Sequence, residues 1–226
     1  MWMIATRGRN GHVRKAGIGR RTLTVWLGGQ SGASAVGGPQ RPAYADFVLR
    51  DRLLPRRRAA PDDPAAGASG AAHLDVLLVC SAGGHLMQLQ LLRAAWEGRG
   101  LRTAWVTLDR EDAQTLLADE DVIYAFGPTT RNVRNLVRNV RLAWRVLRTH
   151  RPRVILTTGA GVSVPFAWAG RLLGVPTVYV ESLTRIRRPS LSCRLVLPAV
   201  DRAYAQWPEL AEADGRFRYV GQVIDA

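Results

Sequence analysis

The sequence of 226 residues predicts a doubly wound parallel α/β sheet over residues 73–226. Three observations carry the prediction. Short β-type runs alternate with helical periods from residue 74 onward. Gly100 and Gly174 fall where helices should stop, and Pro152 and Pro176 stand where strands should start. The apolar run Val76-Leu-Leu-Val-Cys80 breaks at Ser81-Ala-Gly83-Gly84, and a helical pattern restarts at His85-Leu86.

In order, strands are expected at 75–80, 102–107, 121–126, 153–158, 175–181, 202–206 and 217–220. Helices are expected between most of them, at 85–98, 109–118, 131–149, 162–173 and 189–199. Ligands of such sheets bind beyond the carboxyl ends of the strands, where Ser81–His85, Thr158–Ser163 and Glu181–Arg188 would all emerge.

The turn after the first strand is the most informative stretch. Adjacent glycines let the backbone turn tightly and approach a ligand, and the helix start points N–H groups at an anion. His85 adds a side chain that exchanges a proton near neutral pH. The spacing gives no G-x-G-x-x-G fingerprint and no P-loop Lys. A tight connection with a capping polar residue is the alternative.

Composition bounds the class. Lys15 is the only lysine among 32 basic residues, and the formal charge is +14, a bias that reads as the imprint of a GC-rich bacterial genome rather than of a function. Cys80 and Cys193 lie far apart with no C-x-x-C pair, which argues against a zinc or disulfide framework and suits reduced cytosolic thiols. Residues 1–72 are basic and rich in Gly, Pro and Ala, with one short apolar run, Leu23-Thr-Val-Trp-Leu27; they are expected to form a disordered leader, or a basic tether for anionic lipid. No segment reaches the length of a membrane span.

The helix at 131–149 carries a second signal. At about 100° per residue, Arg131, Arg134, Arg138, Arg141, Arg145 and Arg148 form one arc beside an apolar arc of Val133, Leu136, Val137, Val140, Trp144 and Leu147. The apolar arc is expected to face the core. No acid interrupts the arginines, so the usual i,i+4 pairing is lost; the arc is either a solvated face or a site for anionic lipid or phosphate. Nucleic acid is disfavoured, because no reader motif is present.

Four motifs now stand in order: Ser81-Ala-Gly-Gly-His85-Leu-Met-Gln-Leu, Thr158-Gly-Ala-Gly-Val-Ser163-Val-Pro165, Val180-Glu181-Ser182-Leu-Thr184-Arg185 through Pro189-Ser-Leu-Ser192, and Gln206-Trp207-Pro208-Glu209-Leu210. Together they resemble the accessory, acceptor-side subunit of split UDP-sugar glycosyltransferases, of PssD or CpsF type in bacteria. In eukaryotes the same family is the membrane-recruiting half of the asparagine-linked-glycosylation N-acetylglucosaminyltransferase. The resemblance covers nearly all of residues 74–222. A more distant similarity runs to the N-terminal domain of the peptidoglycan N-acetylglucosaminyltransferase that makes lipid II.

The resemblance implies a Rossmann-like domain equivalent to the N-terminal half of a GT-B glycosyltransferase. Such a half holds a polyprenyl-diphosphate-linked acceptor, while a small donor-domain chain binds the UDP-sugar; no metal or other cofactor is expected. The pair would act in polysaccharide or lipid-linked oligosaccharide synthesis, as a peripheral heterodimer at the cytoplasmic face of the cell membrane. The sequence ends soon after Gly221-Gln222, so the donor half is expected from a separate partner.

Roles follow from that resemblance. His85 is the candidate general base, or a helix-opening histidine that only bonds the neighbouring loop. Glu181 is a second catalytic candidate, or a loop acid that orients Arg185. Ser81, Gly83, Gly84, Gly159, Gly161, Ser163 and Ser182 would line the acceptor phosphate site, and Arg185, Arg187 and Arg188 would grip its diphosphate bidentately. Arg134, Arg138, Arg141 and Arg145 would form the membrane face. Trp207 and Glu209 would meet the partner, with core packing the alternative for Trp207. A scaffold that only recruits a catalytic partner, and a stand-alone nucleotide-binding protein, are the competing functions.

Overall fold

Strand β1 (Val76–Val79) is buried along its whole length, which matches an interior strand covered on both faces of a parallel sheet. The computed structural model describes residues 73–225 other than residues 98 and 130. The leader expected over residues 1–72 lies outside the described residues.

Seven parallel strands run β3-β2-β1-β4-β5-β6-β7 across the sheet. They are β1, β2 (Thr103–Leu108), β3 (Val122–Ala125), β4 (Val154–Thr157), β5 (Thr177–Val180), β6 (Arg202–Ala205) and β7 (Phe217–Tyr219). Every expected strand is present, to within two residues at either end. The order reverses between β1 and β4, where Val79 is level with Thr157. That crevice is the place where such sheets take ligands.

Helices α1 (Gly84–Leu91) and α2 (Glu111–Leu116) cover one face, where Leu86, Leu89, Leu92, Trp96 and Ala113 pack on Val76, Leu78, Trp105 and Leu156. The other face is covered by α3 (Val133–His150) and α4 (Ser163–Leu173), which pack on Leu77, Val79 and Ile155. Helices α5 (Leu191–Val196) and α6 (Pro208–Ala213) continue that layer over Tyr179, Ala203, Ala205 and Phe217.

Two helices differ from expectation. The helix expected at 85–98 ends at Leu91 and passes into a 3-10 turn at Arg93–Ala95. Leu89, Leu92 and Ala95 are all fully buried, a three-residue repeat that the tighter turn presents to one side. Helix α6 stands where no helix was expected, with Pro208 at its first position and Glu209 in its first turn.

Helix α3 corrects a larger expectation. Asn132 caps it, accepting from the Asn135 amide at 3.0 Å, and Arg151 closes it in the left-handed conformation. Its core side is Asn135, Asn139, Ala143, Val146 and Leu147 rather than the apolar arc. Asn139 donates to the Phe126 carbonyl at 2.9 Å and accepts the Phe126 amide at 2.8 Å, and Asn135 donates to the Pro128 carbonyl at 3.0 Å. These amides satisfy backbone that leaves β3, so the polar face turns inward. Of the expected core arc only Leu147 is buried; Val133 is 72% exposed and Trp144 37%, with Leu136, Val137 and Val140 between. The arginine arc does lie outside: Arg134, Arg138, Arg141 and Arg145 are exposed.

Candidate functional site

The crevice between β1 and β4 is closed by two reciprocal hydrogen bonds. His85, at the opening of α1, donates from Nδ1 to the Thr158 carbonyl at 2.7 Å, and Thr158 Oγ1 donates to the His85 carbonyl at 2.8 Å. A carbonyl only accepts, so Nδ1 carries a proton, and the neutral tautomer that fits this bond has its lone pair on Nε2. His85 is half-buried while Thr158 is fully buried. The histidine therefore does bond the neighbouring loop, and that bond fixes the tautomer a base requires.

Each glycine turn has its own construction. Gly83 has φ +79°, open to glycine alone without strain, and its amide donates to Asp112 Oδ2 at 2.5 Å. The N–H expected to meet an anionic ligand thus meets a carboxylate of the same chain, from α2. Asp109, Arg110, Glu111, Asp112 and Gln114 line a cavity of about 560 Å³ beside it. Ser81 donates to the adjacent Ala82 carbonyl, at 3.3 Å.

In the second turn Gly159 (φ +103°) and Ala160 (φ +66°) are both left-handed. The Gly159 amide donates to Thr157 Oγ1 at 3.1 Å, and Ser163 gives its hydroxyl (2.6 Å) and amide (3.1 Å) to the Ala160 carbonyl. Ser163 is fully buried, so its hydroxyl shapes the turn from within. A methyl group at Gly161 would lie 2.8 Å from Thr129 Cβ, and one at Gly159 would overlap the Tyr179 hydroxyl.

The loop after β5 is held at its base. Glu181 is fully buried; Oε1 accepts from the Ser182 amide at 2.8 Å, and Oε2 accepts from the Ser190 amide at 2.9 Å and its hydroxyl at 3.2 Å. Its carboxylate joins the two ends of the loop. Ser190 also caps α5, accepting from the Cys193 amide at 3.1 Å, and Ser182 Oγ accepts from the Thr184 amide at 3.3 Å. Burial, reinforced by the Glu181 charge, holds the Tyr179 hydroxyl and the Cys193 thiol well above their ordinary range, so both stay protonated.

Beyond that base Arg185, Ile186, Arg187 and Arg188 are exposed, and among the described residues their guanidinium groups form no ion pair. Trp207 is half-buried and donates from Nε1 to the Leu183 carbonyl at 2.6 Å, a tie to this loop; Glu209 is exposed. Among the described residues no group of three or more His, Cys, Asp or Glu side chains could hold a metal ion, and no helix is long and apolar enough to cross a membrane.

Residue types singled out His85, the glycines and the arginine loop in the sequence, and the structure places them at the carboxyl ends of β1, β4 and β5. They missed Asp112, whose contact spans 29 residues of sequence, and assigned no task to Thr158 or Gln88 although both stand in the quoted motifs.

Known proteins resemble parts of this chain. Residues 127–223 match the family model described as "Oligosaccharide biosynthesis protein Alg14 like". The UDP-N-acetylglucosamine transferase subunit ALG14 of Yarrowia lipolytica is 37% identical over 89 residues, covering 37% of this chain and 41% of that protein. The human subunit of the same name is 30% identical over 89 residues, with the same two coverages. The chain thus spans about two fifths of the length of these curated relatives. A UDP-N-acetylglucosamine–N-acetylmuramyl-(pentapeptide) pyrophosphoryl-undecaprenol N-acetylglucosamine transferase from Oceanobacillus iheyensis is 31% identical over 91 residues, 39% of this chain and 25% of its own. Among solved structures, Acinetobacter baumannii MurG superposes with a TM-score of 0.55 at 14% identity, over 66% of this chain and 45% of that one. The UDP-N-acetylglucosamine 2-epimerase of Rickettsia bellii gives 0.55 at 12%, over 68% and 46%. At such identities the likeness establishes the fold.

Proposed function

Starting from an Alg14-like domain at residues 127–223, we propose that this chain is the acceptor-side subunit of a two-chain UDP-sugar glycosyltransferase. The acceptor is a polyprenyl-diphosphate-linked sugar, and a donor-domain partner holds the UDP-sugar. The relatives' names favour N-acetylglucosamine as the sugar.

The observation that carries the reading is the His85–Thr158 pair at the point where strand order reverses. With Nδ1 protonated, Nε2 takes the proton of the acceptor hydroxyl as its oxygen bonds to the anomeric carbon. The bond from that carbon to the UDP oxygen breaks, and UDP leaves with the electron pair. Arg185, Arg187 and Arg188 hold the acceptor diphosphate, while Glu181 fixes the loop that presents them. Holding both reactants at one cleft requires both walls, so transfer needs the partner.

Helix α3 supplies the contact with an anionic membrane. Its exposed Val133, Val137, Val140 and Trp144 lie beside Arg134, Arg138, Arg141 and Arg145. Arginines near an anionic surface contribute about 1 kcal/mol each, and apolar area leaving water adds roughly 25 cal/mol per Å². Placement at the cytoplasmic face of the cell membrane completes the proposal. Changing those four arginines to Gln should weaken binding to anionic vesicles and flatten its salt dependence; unchanged binding removes the lipid role.

A second reading, a scaffold that only recruits a catalytic partner, is favoured by the Gly83 amide being held already by Asp112. The deciding assay mixes the full chain, UDP-sugar and lipid-diphosphate acceptor with and without a donor-domain partner. Product only in the mixture is expected. Transfer by this chain alone overturns the split-enzyme proposal.

A further inference from the structure

Gln88 connects the helix that carries His85 to the loop that carries the arginines. It lies three residues after His85 on α1 and is 3% exposed. Its Nε2 donates to the Glu181 carbonyl at 2.7 Å, and its Oε1 accepts from the Leu183 amide at 3.3 Å. The amide thus satisfies the two backbone groups, on alternate residues, that a parallel neighbouring strand would satisfy. Trp207 takes the Leu183 carbonyl at 2.6 Å, so both backbone polar groups of Leu183 are held by side chains from other elements. The Glu181 carboxylate joins the loop ends at Ser182 and Ser190. Past these ties Thr184 to Arg188 are exposed, which leaves a basic tip on a fixed base.

We propose that Gln88 is a positioning residue, which holds Arg185, Arg187 and Arg188 at a set distance from His85 so that one acceptor can meet the arginines through its diphosphate and the imidazole through its hydroxyl. The inference rests on the diphosphate reading of the loop. A side chain that only filled space here would not need an amide, since Met or Leu has similar volume. A buried amide between two backbone groups fixes geometry, because its removal leaves both groups without a partner. A loop released from that tie occupies its binding geometry for a fraction of the time, and apparent affinity falls by that fraction; a tenth of the time is about tenfold.

The test uses the full chain and inorganic pyrophosphate, followed by calorimetry, with amide hydrogen exchange over residues 182–190. Gln88→Met should speed exchange across the loop, leave β1 and β4 protected, and weaken pyrophosphate about tenfold. Trp207→Phe releases the same Leu183 from its other side and should do likewise, so the inference remains testable if Gln88→Met fails to fold. In the assembled transferase Gln88→Met should raise the KM for acceptor by a similar factor while kcat and its pH profile stay within about twofold. Should the wild-type chain fail to bind pyrophosphate, the diphosphate reading falls and this inference with it. Should the wild-type chain bind while both variants bind equally well, with faster loop exchange, the positioning role alone is overturned.

Discussion

The two glycine turns that meet at the crevice are built on opposite terms. Each follows a buried strand and holds a glycine at positive φ, and His85 with Thr158 bonds one to the other. Around Gly159 and Gly161 the interior leaves no room for a methyl group, because Tyr179 and Thr129 stand there. Around Gly83 and Gly84 a methyl group would meet nothing within 4 Å. Gly83 answers to its φ, whereas among the described residues nothing in the packing requires Gly84. One turn is dictated from behind by the core, and the other is free to be shaped by what it faces.

The largest test of that contrast removes the side chain of the open turn. His85→Ala should lower turnover of the assembled complex by about a hundred- to ten-thousand-fold with folding intact, the usual span for general-base assistance. A loss below threefold would leave His85 as a tie between turns and nothing more. Next come the glycines themselves. Gly161→Ala and Gly159→Ala should each destabilise by about 1–3 kcal/mol through overpacking, with strained φ added at Gly159. Gly84→Ala should lie within about 1 kcal/mol of the parent, on the stabilising side. Equal melting temperatures for the three variants would erase the contrast.

The smallest effect concerns what underlies the turns. Burial pushes the Cys80 thiol from 9.0 up to about 12, and burial also raises Cys193, beneath the loop after β5. Between pH 9 and about 12 the unfolded chain has lost the Cys80 proton that the folded chain keeps. That stabilisation is complete below pH 9 and declines as pH rises through the window. Denaturation midpoints should be flat from pH 7 to 8.5 and fall above 9. Thiol reagents at pH 8 should label neither cysteine faster than the chain opens; rapid labelling would mean that one turn lacks its buried support.

The fold was legible because strand runs and their punctuation are local. Pro176 and Gly174 bracket one connection, and Gly174 does sit at the end of α4 with φ +73°. Helix α3 was not legible in the same way. Hydropathy ranks Val137 and Trp144 as interior and Asn135 and Asn139 as surface, yet the two asparagines are buried where they bond backbone at Phe126 and Pro128. At the site, His85 and the arginines announced themselves by residue type. Asp112 on Gly83 and Gln88 on residues 181 and 183 join segments 29 and more than 90 positions apart, and nothing beside either residue in the chain marks the contact.

The two asparagines of α3 also decide which way that helix is rolled. A cylinder with apolar residues on two arcs has two seats on a sheet, and the seat that hides Val133, Val137, Val140 and Trp144 would be the one hydrophobicity alone selects. Rolling there would break the bonds to the Phe126 amide and to the carbonyls of Phe126 and Pro128, at roughly 0.5–1.5 kcal/mol for each hydrogen bond lost, and would draw Asn135 and Asn139 away from their partners. Asn135 and Asn139 thus act as a key cut for one rotational setting, and the greasy stripe stays outdoors because the polar teeth fit only indoors.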